Sequence, residues 1–561
     1  MPEIPFLERL KQRKFIQWAI AYLACGFVVV QLIDAVKEEL GLSLAGRQAI
    51  LGSLVVGFFI TLVLAWYHGE KGRQRVSGAE LLLLAVLLVG GAYDVGSTFM
   101  HSVYGTPGRV ATEARKIAVL PFLDASAHGD QADVADGIAD AILRLLGTVP
   151  GLDVVDRNSS FDPRVVAAAA EETGEMLGVD VLVGGSVEEL RDTVHLTAKL
   201  IETTDGAELW HEDFSWTASQ FAVGEAAWAI ADYLLGGSDD PHGLSAPALS
   251  IRSHEALHLY FRAVQAASTG DRPGLESAVQ YFSAAIQRDP DFAQAWAGLA
   301  DAYLYLASDE AALTMAGVAV DRALALDSTS AEAHTVKGRL LNRPGNWIDA
   351  ERELRTALQL RPSYAPAYMW LGNNLLTRGQ TAEGIRAFRR AAELDPLSAQ
   401  TAVGLSQALS AAGDLEGARV EALRATETSP KYPWGHTALA IALADLGLFD
   451  DAIPEADLAV CLLNQHPNAL ATLGAIHAQS GNRAEARAIL QKLRRQEGTD
   501  ALLPTALVYA NLAEMDSAFS LLRRVPSWTP GSRDWLRNSP IWRPVREDPR
   551  WAEFLRYMGM N

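Results

Sequence analysis

One string in this chain spells out a reaction: His254-Glu255-Ala256-Leu257-His258. On a helix, two histidines four residues apart share a face and can hold zinc, with the glutamate between them as base. Such a site needs a third protein ligand. Glu276 is the only nearby carboxylate at a tolerable distance, and it belongs to the next helix. The string falls in a helix that otherwise reads as structural, so no metal site is expected and a zinc metallopeptidase stands as the remote alternative. Asp133, Asp136 and Asp140 lie near one helix face and read as helix-start charges. Asp156, Asp180 and Glu188 have no spacing that implies a site. The sequence has no phosphate-binding glycine loop after a strand and no GxSxG. Cys25 and Cys461 are its only cysteines, which excludes a disulfide framework and a cysteine-rich zinc site. Neither catalytic residues nor cofactors are expected.

The other chemistry legible here is recognition. Arg339, Asn342, Arg343, Met369, Trp370, Asn373, Thr377, Gln407 and Trp434 share a register that places them on one face of successive helices. Tryptophan beside arginine and amides is the composition of a binding hot spot.

The elements that position them repeat every 34 residues. A small residue opens each copy at Gly338, Gly372, Ser406, Ala440 and Gly474. A turn glycine follows at Gly345, Gly379, Gly413, Gly447 and Gly481. Further small residues stand at Ala350, Gly384, Ala418, Ala452 and Ala486, and then at Ala357, Ala391, Ala425 and Ala459 before Leu493 breaks the series. Pro362, Pro396 and Pro430 close the first copies, with Asn464 and Gly498 in that place afterwards. A fixed register of small residues is what stacked helix pairs need for close approach. Eight pairs are expected over 251–525, of tetratricopeptide type, with the first helix of each pair lining a concave groove. Thr335, Met369, Val403, Thr437 and Ala471 occupy the fifth position, so a lysine clamp for acidic peptide ends is not expected.

The chain has 561 residues and a net charge of −20. Residues 1–100 hold 9 basic and 8 acidic side chains, so the acidic excess lies beyond them and argues against nucleic acid as partner. Three apolar stretches, Phe15–Val36, Ile50–Tyr67 and Leu81–Met100, read as membrane-spanning helices over 15–100. Arg9, Lys11, Arg13 and Lys14 precede them, while Lys71, Arg73 and Arg75 separate the second from the third. That asymmetry puts residues 1–14 in the cytoplasm and everything after residue 100 in the periplasm. The lipid bilayer is thus an expected partner and the bacterial inner membrane the expected location.

Residues 116–235 alternate short apolar runs with helical spacing, which implies a mixed sheet with helices packed on it. Lys116–Phe122, Leu152–Asp156, Val179–Val187, Val194–Leu200 and Glu208–Phe214 read as strands; Val134–Leu146 and Val165–Leu177 read as helices. The strings KIAVLPF, ADGIADAI (Ala135–Ile142), DVLVGGSV and LTAKLIETTDGAELWHEDF resemble the TolB amino-terminal-like domain of bacterial envelope proteins. LKQRK before AYL, and LAWYHGE, resemble membrane-anchored members that join this domain to tetratricopeptide repeats. In relatives a cyclase or winged-helix domain precedes the membrane segment, where this chain has about fourteen residues.

The expected fold class is therefore multidomain: three transmembrane helices, a small α/β domain of TolB amino-terminal-like type, a flexible linker over 236–250, an all-α solenoid and a cap over 526–561. The expected function is a membrane-anchored scaffold that presents its groove to a protein or peptide, with homo-oligomers open. An accessory or sensor of a cyclase- or kinase-linked membrane system is the alternative.

Overall fold

The computed structural model describes residues 115–126, 131–190, 193–217, 223–235 and 253–558, save 269–270, 307–309, 344, 497, 527 and 529. The three stretches read as membrane-spanning lie outside these residues. The membrane reading is corrected all the same: among the described residues, no helix is long and apolar enough to cross a membrane. The longest, Arg272–Arg288 and Glu310–Leu326, have 17 residues each, against the roughly 20 apolar residues a span requires. The fold class becomes a small α/β domain and a helical solenoid, and the multi-pass inner-membrane location falls with the three helices.

The α/β domain is built on strands β1 (Arg115–Val119), β2 (Leu123–Asp124), β3 (Leu152–Val154), β4 (Val181–Leu190), β5 (Thr193–Glu202) and β6 (Glu208–Thr217). Their order is β3-β1-β4-β5-β6, with β2 beside β4. β1 runs parallel to β3 and β4, while β4, β5 and β6 are antiparallel. Parallel neighbours need crossovers, and helix Ala132–Leu146 supplies the one between β1 and β3. β1 is buried on both faces through Ile117, Ala118 and Val119, as a central parallel strand must be. β5 alternates instead: Val194, Leu196, Ala198 and Leu200 point inward while His195 is exposed.

Several details depart from the sequence expectation, among them strand β2, the short helix Arg157–Ser160 and two larger changes in the helices. The helix read over Val165–Leu177 is two short helices, Pro163–Ala167 and Ala170–Leu177, broken by extended backbone at Ala168. The break lets Thr173 Oγ1 donate to Val165 O at 3.1 Å and lays Gly174 against Thr203, where a Cβ would find a carbon 2.5 Å away. An unanticipated helix, Val223–Leu235, buries Val223, Ala226, Ile230 and Leu234 beside Ala132–Leu146.

Eight helix pairs follow, from His254–Ser268 with Arg272–Arg288 to Leu502–Asn511 with Met515–Leu522. The small residues of the repeat have a direct steric cause. The fully buried Phe388 ring lies so close to Gly372 and Gly404 that a Cβ would sit 2.8 and 2.3 Å from it. The turn glycines adopt φ of +78 to +89°, a region costly for other residues. Where the closing proline is missing, Asn464 and Gln465 take φ of 48 and 59° to turn the chain instead. Successive first helices pack on one another along the stack, whereas successive second helices scarcely meet. First helices therefore line the inner face and second helices splay outward.

The α/β domain is docked directly on the loops between pairs. Ser363 Oγ donates to Leu152 O at 2.9 Å, and Asp156 N donates to Leu394 O at 2.7 Å. Ser159 Oγ donates to Asp395 at 2.5 Å and accepts from Leu397 N at 2.9 Å. Arg390 pairs with Asp153, and Leu397 packs on the apolar cluster of Ala118 and Leu182. Arg144 bonds Asp140, approaches Glu332 at 3.7 Å and lies over the Tyr260 ring. Burial pushes the Glu332 carboxyl up, but Arg361 and Arg144 outweigh it and hold it below its ordinary value. The linker residues lie outside the description, yet these contacts show the two parts joined face to face rather than held at the linker's reach.

Candidate functional site: an aromatic and amide groove

Arg339 is the first along the chain of the residues expected to face the groove. Helix Ala331–Asn342 starts with Ser330 capping Ala333 N, and carries Arg339 inward in its last turn. Its side chain is 8 % exposed, pairs with Asp301 of the preceding pair, and stacks over Tyr305 at 4.4 Å and Trp370 at 4.6 Å. Planar guanidinium on an aromatic face contributes cation–π attraction as well as contact. Burial, with Arg339 close by, holds the Arg343 guanidinium below its usual pKa, and Arg343 Nη2 donates to Leu304 O at 3.5 Å. Asn342 Oδ1 accepts from Asn374 Nδ2 at 2.6 Å. These three residues thus tie neighbouring pairs together.

Trp370, Asn373, Gln407 and Trp434 come together elsewhere. They line a cavity of about 260 Å³ across helices Ala365–Thr377, Ala399–Ala412 and Pro433–Asp445. Trp370 is half-buried, so it joins Arg339 to this cavity; Trp434 is 38 % exposed. Met369 and Thr377 are buried and do not line it. Thr377 Oγ1 instead donates to Asn373 O at 2.9 Å, and Asn373 Nδ2 donates to Met369 O at 3.2 Å.

Gln400, Ser406, Ser410 and Tyr432 also line the cavity, as do Trp535, Ser539 and Pro540 from the carboxy-terminal segment. Gln400, Ser406 and Ser410 share helix Ala399–Ala412 with Gln407, and Tyr432 immediately precedes helix Pro433–Asp445, though none of the four was expected in the groove from sequence. Nor were the last three. The tail was expected to pack over the last repeat, and helix Trp551–Tyr557 does so, with Phe554 edge-on to Phe519 at 5.7 Å. Before that, however, helix Pro530–Asn538 crosses the first helices of the fourth and fifth pairs, and Pro540–Trp542 reaches those of the fifth, sixth and eighth. Trp542 is fully buried and edge-on to Trp535 at 5.3 Å. Arg546 donates to Leu536 O at 3.1 Å and Ser539 O at 2.7 Å, and Arg543 lies 3.6 Å from Asp445. Burial raises the Asp445 carboxyl, opposed by Arg543 and Arg546.

The zinc-like string has other employment. Glu255 pairs with Arg288 at 2.9 Å, and His258 Nδ1 lies 3.9 Å from Asp133 of the α/β domain. Among the described residues no group of three or more His, Cys, Asp or Glu could hold a metal ion.

Residues 371–433, which include Asn373 and Gln407 of this cavity, match the family model of the tetratricopeptide repeat. The chain carries tetratricopeptide repeats. It is similar to putative adenylate cyclase 3 of Rhizobium meliloti (strain 1021), 37 % identical over 98 residues, which is 18 % of this chain and 17 % of that protein. It is also similar to superkiller protein 3 of Schizosaccharomyces pombe (strain 972 / ATCC 24843), 28 % identical over 151 residues, or 25 % of this chain and 11 % of that one. The chain therefore spans less than a fifth of either relative. Among solved structures, Pseudomonas aeruginosa PilF aligns with 41 % of this chain and 99 % of its own, at 20 % identity and a TM-score of 0.34. YrrB, described as a tetratricopeptide protein with an unusual peptide-binding site, aligns with 34 % and 95 %, at 23 % identity and a TM-score of 0.26. The repeat assignment rests on the match at 371–433 and on the stack itself. A tetratricopeptide stack is a protein-interaction scaffold that offers a long concave inner face.

Proposed function

We propose that this chain holds a segment of a partner protein in the groove across its fourth, fifth and sixth repeats. The cavity between Trp370, Gln407 and Trp434 carries this reading. Aromatic anchors there give contact area at low entropic cost, and amides supply orientation. Arg339 holds Trp370 from behind, and Trp535 of the tail completes the wall. The docked α/β domain, whose residues resemble the TolB amino-terminal-like domain, braces the loops behind the third and fourth repeats.

A photo-reactive residue in place of Gln407 tests this, with Val420 of the outer helix Leu415–Thr428, 54 % exposed, as control. Cross-linking of the same partner at 407 and not at 420 is the expected result. Cross-linking only at 420 would move the binding surface outside the groove.

A second reading, an accessory to a nucleotide-cyclase system, draws on the 98-residue likeness to the putative adenylate cyclase. Unchanged cyclic-nucleotide levels in cells lacking the chain would remove it.

A further inference from the structure

The groove's own chemistry narrows the class of partner, given that the groove is the binding surface. Sixteen residues line the cavity and none is charged, in a chain where 21 % of residues are. A charged side chain entering it would leave water and meet no counter-charge, which is costly. The occupant is therefore neutral where it touches these walls.

The amides say more. Among the described residues, the side-chain carboxamides of exposed Gln400 and half-buried Gln407 make no hydrogen bond with another protein group. A carboxamide offers donors and an acceptor together, the set that pairs with peptide C=O and N–H. A helical ligand has already used those groups internally and would leave the amides unmatched. An extended segment keeps them free. The indoles of Trp370, Trp434 and Trp535 add flat apolar walls, and aromatic-lined grooves favour polyproline-type segments, whose carbonyls point outward unbonded. The chain itself supplies a precedent: uncharged Ser539-Pro540 is buried and forms one wall of the same cavity.

We propose that the cavity receives an uncharged, proline-containing segment of a partner protein in extended conformation. Its prolines lie on Trp370 and Trp434, and its backbone bonds the carboxamides of Gln400 and Gln407.

Panning a displayed random-peptide library against the full chain tests this, keeping the clones that bind at least about tenfold more weakly to Trp434→Ala. The expected clones are rich in proline, poor in charged residues, and weakened several-fold by Gln407→Ala, whose partly exposed side chain is no part of the core. Trp434-dependent clones rich in charged residues, or in helix formers without proline, would overturn the proposal and leave the groove reading standing. Absence of any Trp434-dependent clone would overturn both.

Discussion

Arg339 stacks over Trp370 at 4.6 Å while paired with Asp301, so a single guanidinium joins three successive repeats. Arg339→Ala removes the ion pair and both ring contacts and should destabilise the chain by about 1–3 kcal/mol in urea unfolding. Arg339→Lys should recover little of this, because an ammonium cannot lie flat on Tyr305 and Trp370. Full stability with lysine would show that charge alone holds the joint.

Phe388 fixes the spacing of the groove helices. A Cβ at residue 404 would fall 2.3 Å from its ring, so Gly404→Ala must displace a fully buried side chain. A cost of about 1–3 kcal/mol is expected. Phe388→Leu in the same chain should recover part of it, as a double-mutant cycle would reveal.

The α/β domain docks through a carboxylate that burial and the neighbouring Asp156 hold above its ordinary range. Burial, then the neighbouring Asp156, push Asp395 up to about 7 from an ordinary 3.8, although Ser159, Asn158 and Ser398 donate to it. The raised value means the docked state binds a proton that the unfolded chain does not. Its stabilising contribution is complete below pH about 3.8 and is lost as pH rises through about 7. Asp395→Asn keeps an acceptor for Ser159 and should raise the melting temperature at pH 8 by roughly 2 °C or more, with a smaller gain at pH 5. Equal gains at both values would mean that Asp395 does not titrate in this range.

The tail's place in the groove depends on Arg546, which holds the carbonyls of Leu536 and Ser539. Arg546→Ala should speed amide exchange over 530–542 and leave the outer helix Leu415–Thr428 unchanged, as hydrogen exchange with mass spectrometry reads out. Equal exchange in both chains would place the anchor elsewhere, with Trp542.

What was legible in the sequence is what sterics repeat. Gly372 and the turn glycines recur because close helix approach and positive φ admit few alternatives. Trp370, Gln407 and Trp434 share the cavity because the register puts them on first helices. Contacts between distant segments left no periodic trace. Ser159 meets Asp395 across 236 residues, and Trp535 enters the groove through a tail with no repeat pattern. The register placed Arg339 on a first helix, but Asp301 lies in a longer pair out of register with the rest, so their union was hidden. HEALH has ligand spacing, yet spacing says nothing of Arg288 and Asp133, which engage Glu255 and His258.

The most direct measurement takes one peptide selected for binding to the full chain alone, without screening on Trp434→Ala, and compares its affinity for the full chain, for Trp434→Ala and for Val420→Ala. Binding through the groove requires a loss of tenfold or more at Trp434→Ala, about 1.4 kcal/mol, and none at Val420→Ala. Equal affinity for the wild-type chain and Trp434→Ala would contradict the groove as the binding surface.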